Sequence, residues 1–330
     1  MDFIGHENTK NRMKIAVASA KQRNTSIPHI LLSGTAGCGK TTVAKWLTKL
    51  GNYTYLPASP SELKTKRAVY SLLEKLNIEG YNDRGDRIGI IKPTILFFDE
   101  IHQLPVIGQE ILGLAMERFI LDANIPNKVI WLPYFTIVGA TTNDGILTKP
   151  FRDRFNMKFI FKPYSDTDMQ RIIKFHALRN KLMITNNAVI NIAKRSRGIP
   201  RIMINYLNTI RDLMLAKNLS IVHNTLVNLA FEMLGVDDTG LTNVEIKLLK
   251  TLFNAKAAIG LDNLSIMVNE SNKTISQTIE PFLIRRGLII RTGKGRLITE
   301  KGIKYLEDRG HLHDDTINSK KCIDISYQRG

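Results

Sequence analysis

Residues 30–47 hold the feature that most restricts what this chain can become. Ile30-Leu31-Leu32-Ser33 reads as a short apolar strand and Thr42-Val43-Ala44-Lys45-Trp46-Leu47 as a helical pattern. The turn between them is Gly34-Thr35-Ala36-Gly37-Cys38-Gly39-Lys40-Thr41, a full match to G-x-x-x-x-G-K-[ST]. A strand feeding a glycine-rich turn that opens a helix gathers several backbone N–H groups around one anionic group. The glycines allow an approach that a Cβ would block. In such a loop Lys40 reaches the β/γ-phosphates and the Thr41 hydroxyl sits on Mg²⁺. The expected nucleotide-binding set is therefore Gly34, Thr35, Ala36, Gly37, Cys38, Gly39, Lys40, Thr41 and Thr42. The bland reading, a chance glycine-rich turn, would make the flanking strand and helix a coincidence.

A second motif supports the first. Thr94-Ile95-Leu96-Phe97-Phe98-Asp99-Glu100-Ile101-His102 is an apolar run without alternation that ends in two carboxylates. Such a run predicts a central parallel strand covered on both faces. Ligands of these sheets bind beyond the carboxyl ends of the strands. Asp99 is the expected Mg²⁺ partner of Thr41, and Glu100 is placed to orient and polarise an attacking water. Alone the pair would read as an ordinary acidic strand end; beside a phosphate loop it reads as catalytic.

The chain has 330 residues, 43% of them hydrophobic, which leaves room for two or three soluble domains. No apolar run approaches the ~18 residues of a membrane span. The start, Met1-Asp2-Phe3-Ile4-Gly5-His6-Glu7, lacks the basic-then-apolar order of a signal peptide. Two cysteines, Cys38 and Cys322, make no disulfide framework, and a reducing, cytoplasmic setting fits. No Cys/His spacing points to zinc. The net charge of +17 makes nucleic acid the first partner to consider. An anionic membrane surface is the rival, but no strongly amphipathic basic terminal helix supports it.

The expected elements fall into three grammars. First come a helix over 9–23 with Met13, Ile15, Ala16, Val17 and Ala20 inward, strands at 53–56, 129–132 and 135–140, and helices over 61–76 and 107–119. Residues 77–92 read as a surface loop. Strands alternating with helices predict a doubly wound parallel sheet up to about Phe161. After Pro163 helices alone are expected, over 166–182, 187–196, 201–216 and 224–234. The last part expects helices over 243–254, 261–268 and 273–286. A hairpin follows, with strands 288–291 and 296–299 about Thr292-Gly293-Lys294-Gly295. Helix, turn, second helix, hairpin is the order of a winged helix-turn-helix. The expected division is a nucleotide-binding core at 1–162, a small helical domain at 163–238, a winged helix at 239–310 and a mobile tail at 311–330.

A helix-turn-helix lays its second helix in the major groove of DNA. Here that helix offers Asn272, Lys273, Thr274, Gln277 and Thr278 on its polar face. The wing offers Arg291, Lys294 and Arg296. The expected DNA contacts are Lys273, Gln277, Arg291, Lys294 and Arg296, of which the basic ones supply counterion-release affinity rather than sequence choice. The competing reading is a winged helix used for protein contacts.

With these pieces placed, the chain resembles the AAA+ ATPases and, within them, the RuvB family of Holliday-junction branch migration motors. The resemblance runs from about Phe3 to about Leu306. It rests on Phe3-Ile4-Gly5-His6-Glu7, the phosphate loop, Asp99-Glu100-Ile101-His102, Phe135-Thr136-Ile137-Val138-Gly139-Ala140-Thr141-Thr142, Arg152-Asp153-Arg154-Phe155, Arg195-Ser196-Arg197-Gly198-Ile199-Pro200-Arg201 and Arg291-Thr292-Gly293-Lys294-Gly295-Arg296. It implies a sensor role toward the γ-phosphate for Thr142 and an arginine finger, lent to a neighbouring subunit, at Arg154. Arg152, two residues away and equally basic, stays a rival for the finger. The resemblance also implies a second sensor at Arg201 on the lid, and adenine packing by Ile4 and Tyr164. ATP and Mg²⁺ are the implied cofactors. DNA is the implied substrate and a hexameric ring the implied assembly, because the finger comes from a neighbour.

The chain departs from the family in three places. It begins almost at the Phe-Ile-Gly motif, the 118–133 segment is shorter than usual, and the 77–92 loop looks like an insertion. In the family the 118–133 region docks the partner RuvA, so a RuvA-like partner is the least supported implication. Divergence of a phage- or element-encoded copy would account for all three. The rival function is an ATPase switch that loads another protein onto DNA, as in clamp loaders and initiators; steady DNA-stimulated turnover separates the motor from the switch.

Overall fold

The computed structural model describes residues 3–77, 93–122 and 129–312. The surface-loop reading at 78–92 and all of the tail beyond Leu312 lie outside them. The chain divides into two compact units, Met1–Lys181 with Gly198–Asn205, and Leu182–Arg197 with Tyr206–Gly330.

The first unit is built in chain order from α1 (Glu7–Arg23), β1 (Ile30–Gly34), α2 (Lys40–Gly51), β2 (Thr54–Ala58), α3 (Lys66–Glu74), β3 (Thr94–Phe98), α4 (Val106–Arg118), β4 (Ile120–Asp122), β5 (Val129–Trp131), β6 (Phe135–Thr141), α5 (Lys149–Asp153), β7 (Met157–Phe161) and α6 (Asp166–Arg179). Five strands form a parallel sheet in the order β2-β3-β6-β1-β7. The unalternating run at 95–98 is buried throughout, as its pattern predicts, because β3 is paired on both edges. β6 is buried along all of its length and separates β3 from β1. The carboxyl ends of β1, β6 and β3 therefore lie side by side, and the phosphate loop, Asp99-Glu100 and Thr142 each follow one of them.

Several elements differ from expectation for local reasons. Ile15 lies 70% exposed; α1 buries Met13, Val17 and Ala20, and a residue two positions from Met13 cannot share that face. The helix expected over 61–76 begins only at Lys66, where the Thr65 hydroxyl accepts from Ala68 N–H. Before it Pro60–Glu62 forms a 3₁₀ turn. Residues 129–131 do not join the main sheet. β5 pairs antiparallel with β4, a strand that the sequence pattern did not signal, so the 118–133 segment carries a short β-ribbon. Phe119 turns the chain out of α4 at φ +52°.

In the second unit come β8 (Met183–Ile184), α7 (Asn186–Arg195), most of α8 (Pro200–Ala216), β9 (Ile221–Val222), α9 (Asn224–Met233), α10 (Asn243–Ala255) and α11 (Leu261–Val268). β8 and β9 form a small parallel pair among helices, also without a signal in the sequence pattern. The helix expected over 273–286 is interrupted. It runs as α12 (Asn272–Thr274), a π turn at Ile275–Ile279 and α13 (Glu280–Arg286). Pro281 explains the break, because it has no N–H to give the carbonyl four residues back, and the ladder reaches around it. The wing is β10 (Ile289–Thr292) and β11 (Gly295–Ile298), and α14 (Glu300–Glu307), not foreseen, closes the domain. Its core is Leu248, Leu249, Leu264, Ile275, Leu283, Ile289 and Leu306, each fully buried leucine or isoleucine contributing about 1.5–3 kcal/mol.

Candidate nucleotide site and candidate DNA surface

One open groove in the first unit is lined by Ala36, Gly37, Gly39, Lys40, Thr41, Thr42, Asp99, Glu100, Pro200, Arg201, Ile204 and Asn205. Three separate stretches of sequence meet there. Gly37 shows why the loop needs its glycine: φ is +79°, and a Cβ would lie 2.8 Å from the Arg201 Cβ. Arg201 N–H donates to the Gly37 carbonyl at 3.3 Å, which holds the start of α8 on the loop. Gly39 caps α2, so the first N–H groups of that helix face the groove.

Lys40 is buried, and its Nζ donates to Gly34 O at 2.7 Å and Thr35 O at 3.2 Å. Burial pulls the ammonium below its usual range, against the opposing pull of Glu100, Cys38 and Asp99. Thr41 Oγ1 donates to Asp99 Oδ2 at 3.5 Å. Two hard oxygens at the mouth of a phosphate loop fit the few protein ligands that Mg²⁺ accepts. Cys38 is buried within the loop and does not line the groove.

Glu100 has φ +49°, a left-handed conformation unusual outside glycine. Its Oε2 accepts from Thr142 N–H and Thr142 Oγ1, both at 3.1 Å. His102 Nδ1 lies 3.1 Å from the same oxygen and 2.9 Å from Thr141 Oγ1. Thr141 Oγ1 also accepts from Asn143 N–H at 2.9 Å. The ring tautomer of His102 sets the direction of its hydrogen bond with Thr141. Glu100 is thus held at one oxygen by the end of β6 and by its own strand end. His102 stood in the sequence motif without a role, and its offset from Glu100 was the only signal.

A hydrophobic wall adjoins the loop. A Cβ on Gly39 would lie 3.1 Å from the Tyr164 hydroxyl and 3.2 Å from Phe3. Tyr164 is buried, and its backbone N–H donates to Gly198 O at 2.8 Å. Burial, chiefly, raises its phenol above the ordinary range. His6 sits 4.6 Å, ring to ring, from both Phe161 and Tyr164, and burial lowers its imidazole against the pull of Asp168. Phe3 and His6 stood in the opening motif without a role, and Ile4 was the residue expected here; Ile4 is half-buried, and the side chain beside Gly39 is Phe3.

Neither Arg152 nor Arg154 lines the groove. Arg154 lies along α4. Its Nη1 donates to Pro150 O at 2.9 Å, its Nε is 3.2 Å from Glu117 Oε1, and its guanidinium covers Gly113.

In the second unit Lys273, Gln277, Arg291 and Lys294 are exposed, as a DNA-facing surface requires. Arg296 is not. It is 5% exposed, with Nε donating to Glu280 Oε1 and Nη2 to Glu280 Oε2 at 3.2 Å. β11 is a middle strand, bridged on its far side by Ile259, so Arg296 is covered where its cross-strand partner Arg291 is not. Arg296 is a structural residue and leaves the list of DNA contacts.

The parallel sheet with its phosphate loop, paired carboxylates and Arg201, followed by small helices and a winged helix, defines an AAA+ ATPase with a DNA-binding-type appendage. Comparison with known proteins narrows this. Residues 1–161 match the Holliday junction DNA helicase RuvB P-loop domain, 164–237 the RuvB AAA lid domain and 238–307 the RuvB C-terminal winged helix domain. The chain is 34% identical over 330 residues to the Holliday junction branch migration complex subunit RuvB of Campylobacter hominis, covering 95% of this chain and 92% of that one. It is 36% identical over 313 residues to the corresponding subunit of Fervidobacterium nodosum, covering 92% and 86%. The solved structure of the Thermotoga maritima RuvB Holliday junction branch migration motor superposes with a TM-score of 0.78 at 32% identity, over 92% of this chain and 95% of that one. The chain belongs to the RuvB family.

Proposed function

We propose that this chain is an ATP-driven motor that moves the branch point of a Holliday junction, working in the cytoplasm as a ring whose subunits complete one another's sites. The observation that carries the reading is the groove in which the phosphate loop, Asp99, Glu100 and Arg201 meet, in a chain that also carries a winged helix. ATP phosphates would lie on the N–H groups at the start of α2, with Lys40 and Arg201 as their cations. Thr41 and Asp99 would hold Mg²⁺, which when bound neutralises charge on the β- and γ-phosphates. Glu100, fixed at Oε2, keeps Oε1 to orient a water and take its proton. Arg154 would leave α4 to reach the site of the next subunit. Lys273, Gln277, Arg291 and Lys294 would meet DNA.

No helix among the described residues is long and apolar enough to cross a membrane. The test is dissociation of a synthetic four-way junction with ATP and Mg²⁺, with and without a RuvA-type protein. Nucleotide-dependent dissociation is expected in at least one arm. Hydrolysis without dissociation in both arms would instead favour a loader that does not translocate.

A further inference from the structure

Arg197 is the residue at which the second unit gives way to Gly198–Asn205 of the first. Arg197 and Gly198 are both left-handed, at φ +59° and +72°. A Cβ on Gly198 would lie 2.5 Å from the Tyr164 carbonyl oxygen, so the turn admits glycine alone.

The Arg197 side chain is fully committed. Nη1 and Nη2 donate to Glu245 Oε1 and Oε2, each at 2.6 Å, and Nε donates to Gly240 O at 2.7 Å. Its guanidinium lies 4.1 Å from the centre of the Phe282 ring. The two charged side chains are 7% and 3% exposed. Glu245 is no spare carboxylate, because it also completes the capping box that starts α10 at Thr242. One guanidinium therefore clamps the first helix of the winged domain, the turn that leads into it, and Phe282 on α13, the helix that would enter DNA. Four residues further along the chain, Arg201 stands on the phosphate loop. A buried ion pair is weak grounds for stability, and its better-attested use is to fix one arrangement among several.

We infer that Arg197 couples the winged helix to the nucleotide groove, so that DNA on α12–α13 and nucleotide at Arg201 each change the affinity for the other. The inference rests on the function proposed above. It is distinct from a phosphate or DNA contact, since Arg197 touches neither surface.

The test measures the affinity of a non-hydrolysable ATP analogue with and without saturating duplex DNA, and the affinity for DNA with and without the analogue. In the wild type the two ratios must agree, because coupling between binding sites is reciprocal. Two variants are compared. Arg197→Lys keeps the charge but loses the two-pronged fit. Arg197→Met with Glu245→Gln leaves no buried charge unpaired and keeps an acceptor for Thr242. The expected result is a coupling ratio that falls at least about fivefold, toward unity. The separate affinities for analogue without DNA, and for DNA without analogue, should stay within about twofold of wild type. A wild-type ratio retained in both folded variants overturns the inference. So does loss of DNA affinity in the absence of nucleotide, since Arg197 would then only be holding the winged domain in shape. A wild-type protein that dissociates junctions yet shows no coupling also overturns the inference and leaves the function standing. One that binds the analogue but does neither removes the function first.

Discussion

Arg291, Lys294 and Arg296 look equivalent in sequence and should behave in opposite ways when removed. Arg291 and Lys294 are exposed on the wing, so replacing both by Ala should leave the melting temperature within a degree or two. If each meets one phosphate, the slope of log K against log salt should fall by about 0.9 per contact, about 1.8 in all. Between 50 and 200 mM salt that difference amounts to roughly a twelvefold change in how much affinity is lost. Arg296→Ala acts elsewhere. It strands Glu280, 2% exposed, without its cation. Breaking one side of such a pair costs about 3–5 kcal/mol, or more than about 10 °C in melting for a domain of this size. Replacing both partners, Arg296→Met with Glu280→Leu, should recover most of that, because no buried charge is left over. The assays are thermal unfolding and fluorescence anisotropy on duplex DNA across a salt series. An Arg296→Ala protein that melts like wild type and lowers the slope by about one would refute the reasoning and return Arg296 to the DNA surface.

Glu100→Gln should bind ATP normally yet hydrolyse it at least about a hundredfold more slowly, because general-base assistance contributes 10²–10⁴-fold; unchanged turnover would remove the Asp99/Glu100 pair from the chemistry. Lys40→Ala and Arg154→Ala should each be nearly inactive alone and recover hydrolysis when mixed, since fingers contribute on the order of 10³–10⁵ in rate. Arg152→Ala is the control, and complementation by it alone transfers the finger to Arg152. His29 accepts from Ile137 N–H through Nδ1 at 2.9 Å and faces Met116 O through Nε2 at 3.2 Å, so only the neutral ring satisfies both. Burial lowers its pKa from 6.5 to about 4, against the opposing bond to Met116. The unfolded chain thus binds the extra proton below pH 6.5 and the folded chain only near pH 4. Stability is lost as pH falls through that window, by about 2 kcal/mol from pH 7 to pH 5. His29→Gln, which does not titrate, should show a flatter profile in denaturant melts; an equally steep one would clear His29 of the effect.

Most of the groove's lining was legible because it is local in sequence. A phosphate loop is eight consecutive residues, and Asp99 and Glu100 mark the end of one apolar run. The parallel sheet followed from the same runs, since a strand covered on both faces has no polar alternation to show. What escaped depends on distant contacts. Nothing in the order of residues tells that Phe3 and Tyr164 both close on Gly39, or that Ile259 covers the strand of Arg296. The interruption at 275–279 was legible in principle, because Pro281 stands inside the expected helix. So was the start of α3, where Thr65 offers a hydroxyl to the N–H three residues on. The finger role proposed for Arg154 rests on the family resemblance, since an arginine lying against α4 of its own chain shows no chemistry by itself.

The two charges that the proposed hydrolysis would use are already engaged by the chain's own groups. Lys40 commits two of its three protons to loop carbonyls, and Glu100 Oε2 receives two donors from Thr142 with His102 beside them. Phosphate oxygens can displace neutral carbonyls from a lysine, because an anion adds a charge–charge attraction that a carbonyl lacks. The Thr142 hydroxyl poses a stricter choice. It has one proton, and that proton points at Glu100. A sensor that donates to a γ-phosphate must first withdraw from Glu100, leaving the carboxylate with the Thr142 N–H and His102. One hydroxyl at the end of β6, between the ends of β1 and β3, can therefore serve the phosphate or restrain Glu100, but not both at once. The strand order that sets β6 between the phosphate loop and the acidic strand is what makes that exchange available.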